Sequence, residues 1–415
     1  MVATEYCEKV FDGTHDTPKP VKKGRLLITS KHIANQKLDI SSAYYISEED
    51  FENINKRSQV HQWDILFSMI GTVGNVYIET SKEIDYAIKN MGVFSCGNKD
   101  KAYWLYYYLQ TPFVKAKIEA LMAGAVQKFV PLGFLRNLDV PKYSEKANRI
   151  VSVLSSLDDK IALNKCISAK LEKMAKRLYD YWFVQYDFPD KNGHPYKTTG
   201  GPMTYNPTLK REIPAGWEVK NVNDVTTSVR GVSYSSDDEK SKTDSNVVQI
   251  LRGNNISGSR FVFDGNDVFV SSVLVAEEQK ISKFDIVMTM SSGSKEHVGK
   301  SALALYDMPH SFGAFCSKFT PNEEARYFID CYLHSEIFIK YIRQTCSGTG
   351  INNLTNGHFD KSLFAWPTED ILKSFNEKFS AIYEQRGVIE REITRLTALR
   401  DKFLPLLMNG QVEVG

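Results

Sequence analysis

The chain lacks the features of several common protein classes. Its six cysteines include no CxxC pair, which argues against zinc ribbons and disulfide frameworks and is typical of a reducing cytoplasm. Its longest uncharged run, residues 65–78, contains two glycines and is too short to span a bilayer. No signal peptide is visible around Glu5 and Glu8. We therefore expect a cytoplasmic location.

The chain also lacks a large net charge. The 415 residues carry a formal charge of only +2, so any basic surface has to be local. Residues 17–37 contain six basic residues and no acidic one, and residues 240–260 contain four basic residues and one acidic one. Two local basic patches are therefore predicted in a chain long enough for two or three domains.

Catalytic and cofactor motifs are missing as well. No glycine-rich cofactor loop precedes an NPPF-like or DPPY-like motif of the kind that an amino-methyltransferase needs, and the nearest match is Asn206-Pro207. The stretch “GSKEHVGKS” from Gly293 imitates a phosphate-binding loop, but five residues separate its glycines where four are needed. No histidine has a partner at metal-ligand spacing. We expect no metal and no cofactor in this chain.

Two long segments have the pattern of paired helices. Residues 142–188 contain no glycine or proline, and seam residues, most of them apolar, recur at steps of four and three over 150–182. A second seam of this kind covers 375–403, with Gly387 as its only interruption and Pro405 as its expected end. The narrow and equally long seams predict an antiparallel coiled coil.

Polar and aromatic residues give the predicted coiled coil its details. Asn164 and Arg386 interrupt the two seams near their middle, so they are expected to set register rather than strength. The first helix ends in a burst of aromatic residues that is followed by a turn-rich stretch. We expect these rings to anchor the chain by packing: Tyr179, Tyr181, Trp182, Phe183 and Tyr186.

The segments between the helices resemble each other in order and at a nearly constant offset. Three pairs carry the match: Asp64 and Asp285, Gly92–Phe94 and Gly313–Phe315, and Tyr103–Leu109 and Tyr327–Leu333. The offsets are 221, 221 and 224 residues. Alternating apolar stretches predict strands, and residues 101–122 and 322–345 are predicted helices. One α+β domain followed by one helix therefore occurs twice.

Several stretches resemble the specificity subunit of a Type I restriction–modification enzyme. They are “KLEKMAKRLYDYWFVQYDFPDKNGHPYK”, “NPTLKREIPAGWEV”, “LRDKFLPLLMNGQVEV” and the turn at Asp64–Gly74. The resemblance covers essentially the whole chain. It implies two target recognition domains held apart by two antiparallel helices, each domain reading one half of a bipartite DNA sequence. It further implies a non-catalytic subunit that binds double-stranded DNA and methyltransferase subunits, expected as two copies, and restriction subunits through the complex.

This resemblance divides the α+β chain into a pseudo-two-fold repeat. The predicted parts are a first recognition domain at 1–144, a first spacer helix at 145–186, a turn-rich connector at 187–215, a second recognition domain at 216–367, and a second spacer helix with a tail at 368–415. The second repeat opens with “IPAGWEVKNVNDV”, whereas the first starts almost at once. The leading strand of the first domain is therefore expected to be short.

Basic and polar residues on predicted loops are the candidates for DNA contact. Phosphate contacts are predicted for Lys19, Lys22, Lys23, Arg25 and Lys295. Base contacts are predicted for Ser30, Lys31, His32, Arg252, Asn254 and Asn255, because arginine reads guanine and asparagine reads adenine through paired hydrogen bonds. The next candidates are Thr72, Lys128, Ser292, Ser294, Asn352 and Asn353. A solvated lysine-rich loop explains any single lysine equally well.

Three apolar positions beside the seams are candidates for protein contact. A seam between two helices is too narrow to bury these positions as well, which are Ile167, Met174 and Val388. Within the resemblance they are expected to face helices of the methyltransferase subunits in a larger bundle.

Two other functions fit parts of the sequence. Asp190, Glu218 and Lys220 follow a loose pattern of metal-dependent endonucleases, in which the two carboxylates hold Mg²⁺ and the lysine stabilises the leaving charge. Such short patterns often arise by chance. A scaffold that binds no DNA is the other alternative, although a scaffold has no need for duplicated globular domains.

Overall fold

The computed structural model describes residues 1–34, 36–123, 129–263, 267–294, 296–345 and 352–414, with the backbone alone at Asn352. The chain forms two compact units. The first unit comprises Met1–Ile161 and Arg395–Gly415, and the second comprises Ala162–Thr394. In the described part of the chain, no helix is both long and apolar enough to cross a membrane.

The first unit combines two sheets with short helices. Its strands are β1 (Lys9–Asp12), β2 (Arg25–Thr29), β3 (Ile33–Ala34), β4 (Lys37–Leu38), β5 (Tyr44–Ile46), β6 (Asp64–Ser68), β7 (Val76–Ile78), β8 (Tyr86–Lys89) and β9 (Met91–Ser95). Its helices are α1 (Ala3–Tyr6), α2 (Glu48–Ser58), α3 (Lys99–Leu109), α4 (Pro112–Met122), α5 (Leu132–Arg136) and the start of the long α6 (Glu145–Tyr179). The sheets have the orders β1-β9-β6-β7 and β5-β2-β8, and β3 pairs with β4.

The second unit contains the rest of α6 and sixteen further strands among the described residues. These are β10 (Met203–Asn206), β11 (Arg211–Pro214), β12 (Glu218–Asn221), β13 (Thr226–Arg230), β14 (Glu239–Lys240), β15 (Val247–Leu251), β16 (Ile256–Ser257), β17 (Arg260–Phe261), β18 (Val268–Ser271), β19 (Ile286–Thr289), β20 (Ser291–Ser292), β21 (Ser301–Leu303), β22 (His310–Phe312), β23 (Cys316–Pro321), β24 (Asn352–Asn353) and β25 (Leu363–Trp366). The helices are α7 (Val222–Val225), α8 (Arg326–Leu333), α9 (Glu336–Thr345), α10 (Asn356–Asp360) and α11 (Glu369–Met408), whose last part belongs to the first unit.

The sheets of the two units have matching topology, which confirms the internal repeat. The order β13-β23-β19-β21 repeats β1-β9-β6-β7, with antiparallel pairing throughout. In the other sheet, β2 pairs antiparallel with β5 and parallel with β8, and β15 pairs in the same way with β18 and β22. The hairpin β3–β4 corresponds to β16–β17. The chain is therefore α+β and contains two sheet-rich domains, as predicted.

The turn before β6 and β19 has the same unusual backbone in both units. Trp63 and Phe284 have φ angles of 72° and 74°, a conformation that is uncommon for aromatic residues. The following aspartates are buried, and their carboxylates accept amide N–H bonds of 2.8 Å from His61 and 2.7 Å from Ser282. The carboxylate closes a tight turn, which explains why this aspartate occurs in both repeats.

One of the three sequence matches between the repeats pairs residues that are not structurally equivalent. The stretches Gly92–Phe94 and Gly313–Phe315 do not occupy equivalent places, because Phe94 is buried inside β9 whereas Phe315 is 68% exposed before β23 begins. Strand pairing shows the true equivalent: Ile65 lies opposite Phe94, and Ile286 lies opposite Phe319. The offset changes from 221 residues at Ile65 and Ile286 to 225 at their partners Ile78 and Leu303, so the extra residues lie between β6 and β7 and their counterparts.

The helices predicted at 101–122 and 322–345 are each divided in two. Thr111 separates α3 from α4, and its hydroxyl accepts the N–H of Val114 at 3.4 Å. Ser335 separates α8 from α9 and accepts the N–H of Phe338 at 3.2 Å. Both residues act as N-caps, which start a new helix and interrupt the preceding one. The leading strand of the first unit is short, as expected. Val2 forms a single bridge with Asp139, whereas the corresponding strands of the second unit, β12 and β25, form four residue pairs.

The helices α6 and α11 run antiparallel within each unit. In the first unit, Asp158 and Arg400 form an ion pair of 2.9 Å. In the second, Ser168 donates a hydrogen bond of 2.6 Å to Glu390, and Arg386 lies 3.9 Å from Glu172. The buried Asn164 and Arg386 thus have acidic partners on the opposite helix, which agrees with a role in register.

The ends and the interruption of the two helices differ in part from the predictions. Helix α6 passes into a π-helical turn at Asp180–Val184, and α11 continues through Pro405 to Met408 instead of ending there. Gly387 lies within α11, where an added Cβ would come within 2.9 Å of the backbone oxygen of Leu305. Close contact with the neighbouring backbone therefore accounts for this glycine.

The aromatic residues at the end of α6 mostly pack, as predicted. Tyr179, Trp182, Phe183 and Tyr186 are buried in the core of the second unit, whereas Tyr181 is partly exposed. The Phe183 ring contacts Phe375 of α11 edge to face, with a centroid distance of 4.6 Å. The connector after it also contains the hairpin β10–β11, which turn-forming composition alone did not predict.

Candidate nucleic-acid interface

The loop after β2 is held by two of the residues that were predicted to read bases. His32 is buried, and its Nδ1 accepts the Thr29 N–H at 2.8 Å. Burial lowers the pKa of His32, which favours the neutral ring that this contact needs. The buried Ser30 hydroxyl donates to the carbonyl of Asn90 at 2.9 Å. These two side chains shape the loop, and Lys31 between them is exposed.

Further loops of the first unit meet this one. The Thr72 hydroxyl donates to the carbonyl of Ser30 at 3.1 Å, which joins the turn after β6 to the loop after β2. Phe129 forms a β-bridge with Ile70, which lies in the turn after β6, and the Phe129 side chain is 39% exposed. We call the surface formed by Lys31, Thr72, Asn90 and Phe129 the first loop face.

The corresponding loop of the second unit follows β15 and has the same construction. Asn255 is buried, its Oδ1 accepts the Arg252 N–H at 2.9 Å, and its Nδ2 donates to the Val262 carbonyl at 3.1 Å. Asn255 therefore occupies the structural place of His32, and Asn254 beside it is exposed. Arg252 is half-buried and interacts with Tyr234.

Three more loops join this surface. An added Cβ on Gly313 would lie 3.9 Å from the Arg252 Cγ, so the loop before β23 is adjacent. Phe315 follows two residues after Gly313, and its carbonyl oxygen accepts the N–H groups of Met290 and Ser291 at 2.8 and 3.2 Å. Strand β20 pairs with β24, which brings Ser292 and Asn353 to this surface. We call the surface formed by Arg252, Asn254, Ser292, Phe315 and Asn353 the second loop face, and the exposed Ser294 adjoins it.

The basic segment before β2 lies apart from the first loop face. Val21 pairs with Tyr45, and Arg25 pairs with Ile46, so Lys22 and Lys23 lie at the start of β2. Ser30 follows the other end of this five-residue strand, about 13 Å away at the usual rise per residue. Lys19, Lys22 and Lys23 are exposed, whereas Arg25 binds Glu48 at 3.1 Å.

The basic segment at 240–260 is similarly divided. Lys240 and Lys242 are exposed. Arg260 instead lies 3.5 Å from both Glu172 of α6 and Glu390 of α11, so its charge serves contacts inside the second unit. Lys128, Lys295 and the side chain of Asn352 lie outside the described residues.

Two residues of the endonuclease alternative, Asp190 and Lys220, make other contacts. The Asp190 carboxylate accepts the N–H groups of Asn192 and His194, both at 2.8 Å, within its own turn. Lys220 lies over the Trp366 ring at 4.8 Å. In the described part of the chain, no three acidic, histidine or cysteine side chains cluster at metal-binding distance. The geometry therefore gives the endonuclease no support.

Sequence reasoning missed three members of the loop faces. Asn90, Phe129 and Phe315 belong to no basic or glycine-rich stretch, and phenylalanine is usually assigned to a core. The apparent match of its triplet with Gly92–Phe94 paired Phe315 with the buried Phe94, so no signal in the sequence marked Phe315 as exposed.

Comparison with known proteins points to one family. Residues 19–173 match the family described as “Type I restriction modification DNA specificity domain”. The chain is 33% identical over 204 residues to the EcoKI specificity subunit of Escherichia coli (strain K12), which is 49% of this chain and 44% of that protein. It is 34% identical over 204 residues, with the same coverage, to the StySPI specificity subunit of Salmonella potsdam. The match thus spans less than half the length of these two relatives.

Two further comparisons cover more of the chain. The MjaIX specificity subunit of Methanocaldococcus jannaschii is 25% identical over 320 residues, which is 75% of this chain and 69% of that protein. A crystal structure of a Type I restriction-modification S subunit from M. genitalium aligns with a TM-score of 0.52 and 14% identity, covering 98% of this chain and 95% of that one. This structural likeness supports a shared fold.

Proposed function

We propose that the chain is a Type I restriction–modification specificity subunit and acts as the DNA-reading subunit of such an enzyme. In this proposal each loop face reads one half of a bipartite double-stranded target. The subunit itself is non-catalytic and binds no cofactor, and the methyltransferase and restriction subunits supply the chemistry in the cytoplasm.

The two loop faces are the observation that carries the proposal. Their frameworks match, because His32 and Asn255 cap equivalent loops through the same backbone contact. The exposed residues differ: Lys31 on the first face is replaced by Asn254 on the second. A repeated rigid framework that presents different polar side chains is suited to reading two different half-sites.

Within this proposal the predicted contacts fall into two groups. Lys31, Arg252, Asn254 and Asn353 can present hydrogen-bonding groups to base edges. Exposed lysines at the start of β2 bind phosphates outside the half-site read by the first loop face, namely Lys19, Lys22 and Lys23. Ser30, His32 and Asn255 hold the loops in place and contribute to recognition only through the shape of each face.

The exposed sides of α6 and α11 are the proposed docking surface for methyltransferase subunits. Met174 and Leu163 on α6 are 48% and 54% exposed, and Val388 on α11 is 56% exposed. Ile167 lies on α6 between the first two and is partly buried. Helices of two methyltransferase copies would cover these side chains, since soluble proteins seldom leave such rows of apolar residues in water.

Selection from a randomised DNA pool tests the proposed function. The full chain, with and without the methyltransferase of its own system, is mixed with random duplexes, and the retained sequences are determined. We expect two unlike short motifs at a fixed separation, recovered with the complex. Retention without any sequence preference would overturn the proposal, and cleavage of DNA by the isolated chain would contradict its non-catalytic role.

A further inference from the structure

Two phenylalanines on the loop faces are exposed to solvent. Phe315 is 68% exposed and Phe129 is 39% exposed. Each lies beside polar groups, Arg252 and Ser292 in the second unit and Thr72 in the first. A large apolar side chain among hydrogen-bonding groups is typical of a surface that becomes covered by a partner.

The two phenylalanines occupy exchanged places in the repeat. Asn90 and Phe315 are equivalent, because the residues after them, Met91 and Cys316, accept the N–H groups of Gly13 and Gly231 at 2.9 and 3.1 Å. Both of these residues also pair with the last residue of the neighbouring strand, Ser68 or Thr289. At this position the first unit has asparagine and the second unit has phenylalanine.

The reverse exchange occurs one loop away. Phe129 pairs with Ile70, and Asn353 pairs with Ser291. The residues that follow donate equivalent N–H bonds, from Val130 to Met69 at 3.0 Å and from Leu354 to Met290 at 2.7 Å. Each loop face therefore presents one phenylalanine and one asparagine, in opposite order.

The backbone holds Phe315 firmly in place. Its carbonyl accepts two N–H bonds from Met290 and Ser291, and the guanidinium of Arg230 donates to the preceding Ala314 carbonyl at 3.3 Å. The side chain is thus presented from a fixed backbone and loses little conformational freedom on binding. A fixed position is a requirement for reading one base pair rather than many.

We propose that Phe129 and Phe315 each contact the 5-methyl group of a thymine in their half-site. This inference rests on the proposed DNA-reading function. Thymine is the base with an apolar group on its major-groove edge, and phenylalanine is one of the residues that contact it. The surrounding arginine, asparagine and serine groups are those that read the same groove. Insertion between base pairs, by contrast, is typical of minor-groove proteins.

Replacing thymine by uracil tests the inference, because uracil lacks only the methyl group. The preferred duplex is first selected from a random pool by the full chain with its methyltransferase. Each thymine is then replaced singly, and the affinity is measured for wild type, Phe129→Ala and Phe315→Ala. We expect one thymine in each half-site at which uracil weakens wild-type binding about fourfold, the factor for one buried methyl group.

The two variants should separate the half-sites. Phe315→Ala is expected to become insensitive to uracil in one half-site and to stay sensitive in the other, with Phe129→Ala showing the reverse. Val273→Ala is the matched control: Val273 is 88% exposed but lies beyond Ser271, which pairs with Val247 at the far end of β15 from Arg252. This control should behave as wild type. Equal melting temperatures confirm that the variants fold.

The outcomes distinguish the two proposals. A pool that yields no preferred duplex overturns the proposed function and this inference with it. A preferred duplex that tolerates uracil at every thymine, or a half-site without thymine, overturns the inference alone. Variants that keep the wild-type response to uracil do the same.

Discussion

The amide of Asn164 on α6 donates a hydrogen bond of 2.9 Å to the carboxylate of Glu392 on α11. Asn164 is only 2% exposed, so this contact lies within the seam between the helices. One turn further along α6, the buried Ser168 bonds Glu390 in the same manner. A shift of either helix by one residue would leave these polar groups buried without partners, so the contacts select a single register.

Removing the Asn164 amide should weaken the helix pair. We expect Asn164→Ala to lower the free energy of unfolding of the full chain by about 1–3 kcal/mol, the range for a buried hydrogen bond to a charged group. Urea unfolding followed by circular dichroism measures this change. Cys166→Ala, an exposed substitution two residues away on the same helix, should change stability by less than about 0.5 kcal/mol. Equal effects of the two substitutions would contradict a register role.

Arg252 should act at one base pair. Arg252→Ala is expected to reduce discrimination at a single position of one half-site by about 1–3 kcal/mol, since arginine reads guanine through two hydrogen bonds. Binding to a panel of singly substituted duplexes measures the effect. A uniform loss across all sequences would instead place the guanidinium on phosphate. Lys22→Ala provides the contrast, with a uniform loss and a reduced salt dependence.

A charge on the exposed side of α6 should block the methyltransferase. Met174→Glu is expected to weaken its binding about tenfold or more, because an unpaired carboxylate would be buried in an apolar contact. The stability of the isolated chain should hardly change, since Met174 is 48% exposed. Calorimetric titration measures the affinity, with Lys191→Glu in the connector as a control on the change of charge. Unaltered binding of Met174→Glu would exclude this surface.

Stability should depend on pH through His334. Burial alone would lower its pKa, but the Asp330 carboxylate, 3.3 Å from Nδ1, raises the pKa of His334 to about 9. Because the folded value lies above the unfolded value of about 6.5, the stabilisation is complete below pH 6.5 and is lost as the pH rises through 9. The stability difference between wild type and His334→Gln should therefore shrink over this range by on the order of 1–3 kcal/mol. A difference that is constant from pH 6 to 9.5 would contradict the ion pair.

Periodicity predicted the elements that depend on local sequence. The seams of α6 and α11 and the polar residues Asn164 and Arg386 were found because helix pairing imposes a regular spacing. Their partners were not predicted. Glu392 is the partner of Asn164 and Glu172 is the partner of Arg386, and each partner lies on the opposite helix, so the pairing depends on tertiary register. The end of α11 was misplaced because Pro405 was assumed to end a helix that in fact continues for one turn.

The candidate interface was less predictable. Residue type suggested hydrogen-bonding groups, but His32 and Asn255 turned out to be capping groups with buried side chains. Whether a polar residue closes its own loop or faces outward depends on backbone geometry, which one sequence does not reveal. Phe315 was missed for the opposite reason, because apolar character normally indicates a core position.

Exchange of one recognition domain tests the central claim most directly. Residues 11–140 are replaced by the corresponding domain of a relative with a different specificity, and both proteins, each with the methyltransferase, select sequences from the same random DNA pool. The account predicts that one half-site changes to that of the donor and that the other half-site stays the same. If both half-sites change together, or if neither changes in a folded complex that binds DNA, the two loop faces do not read DNA separately.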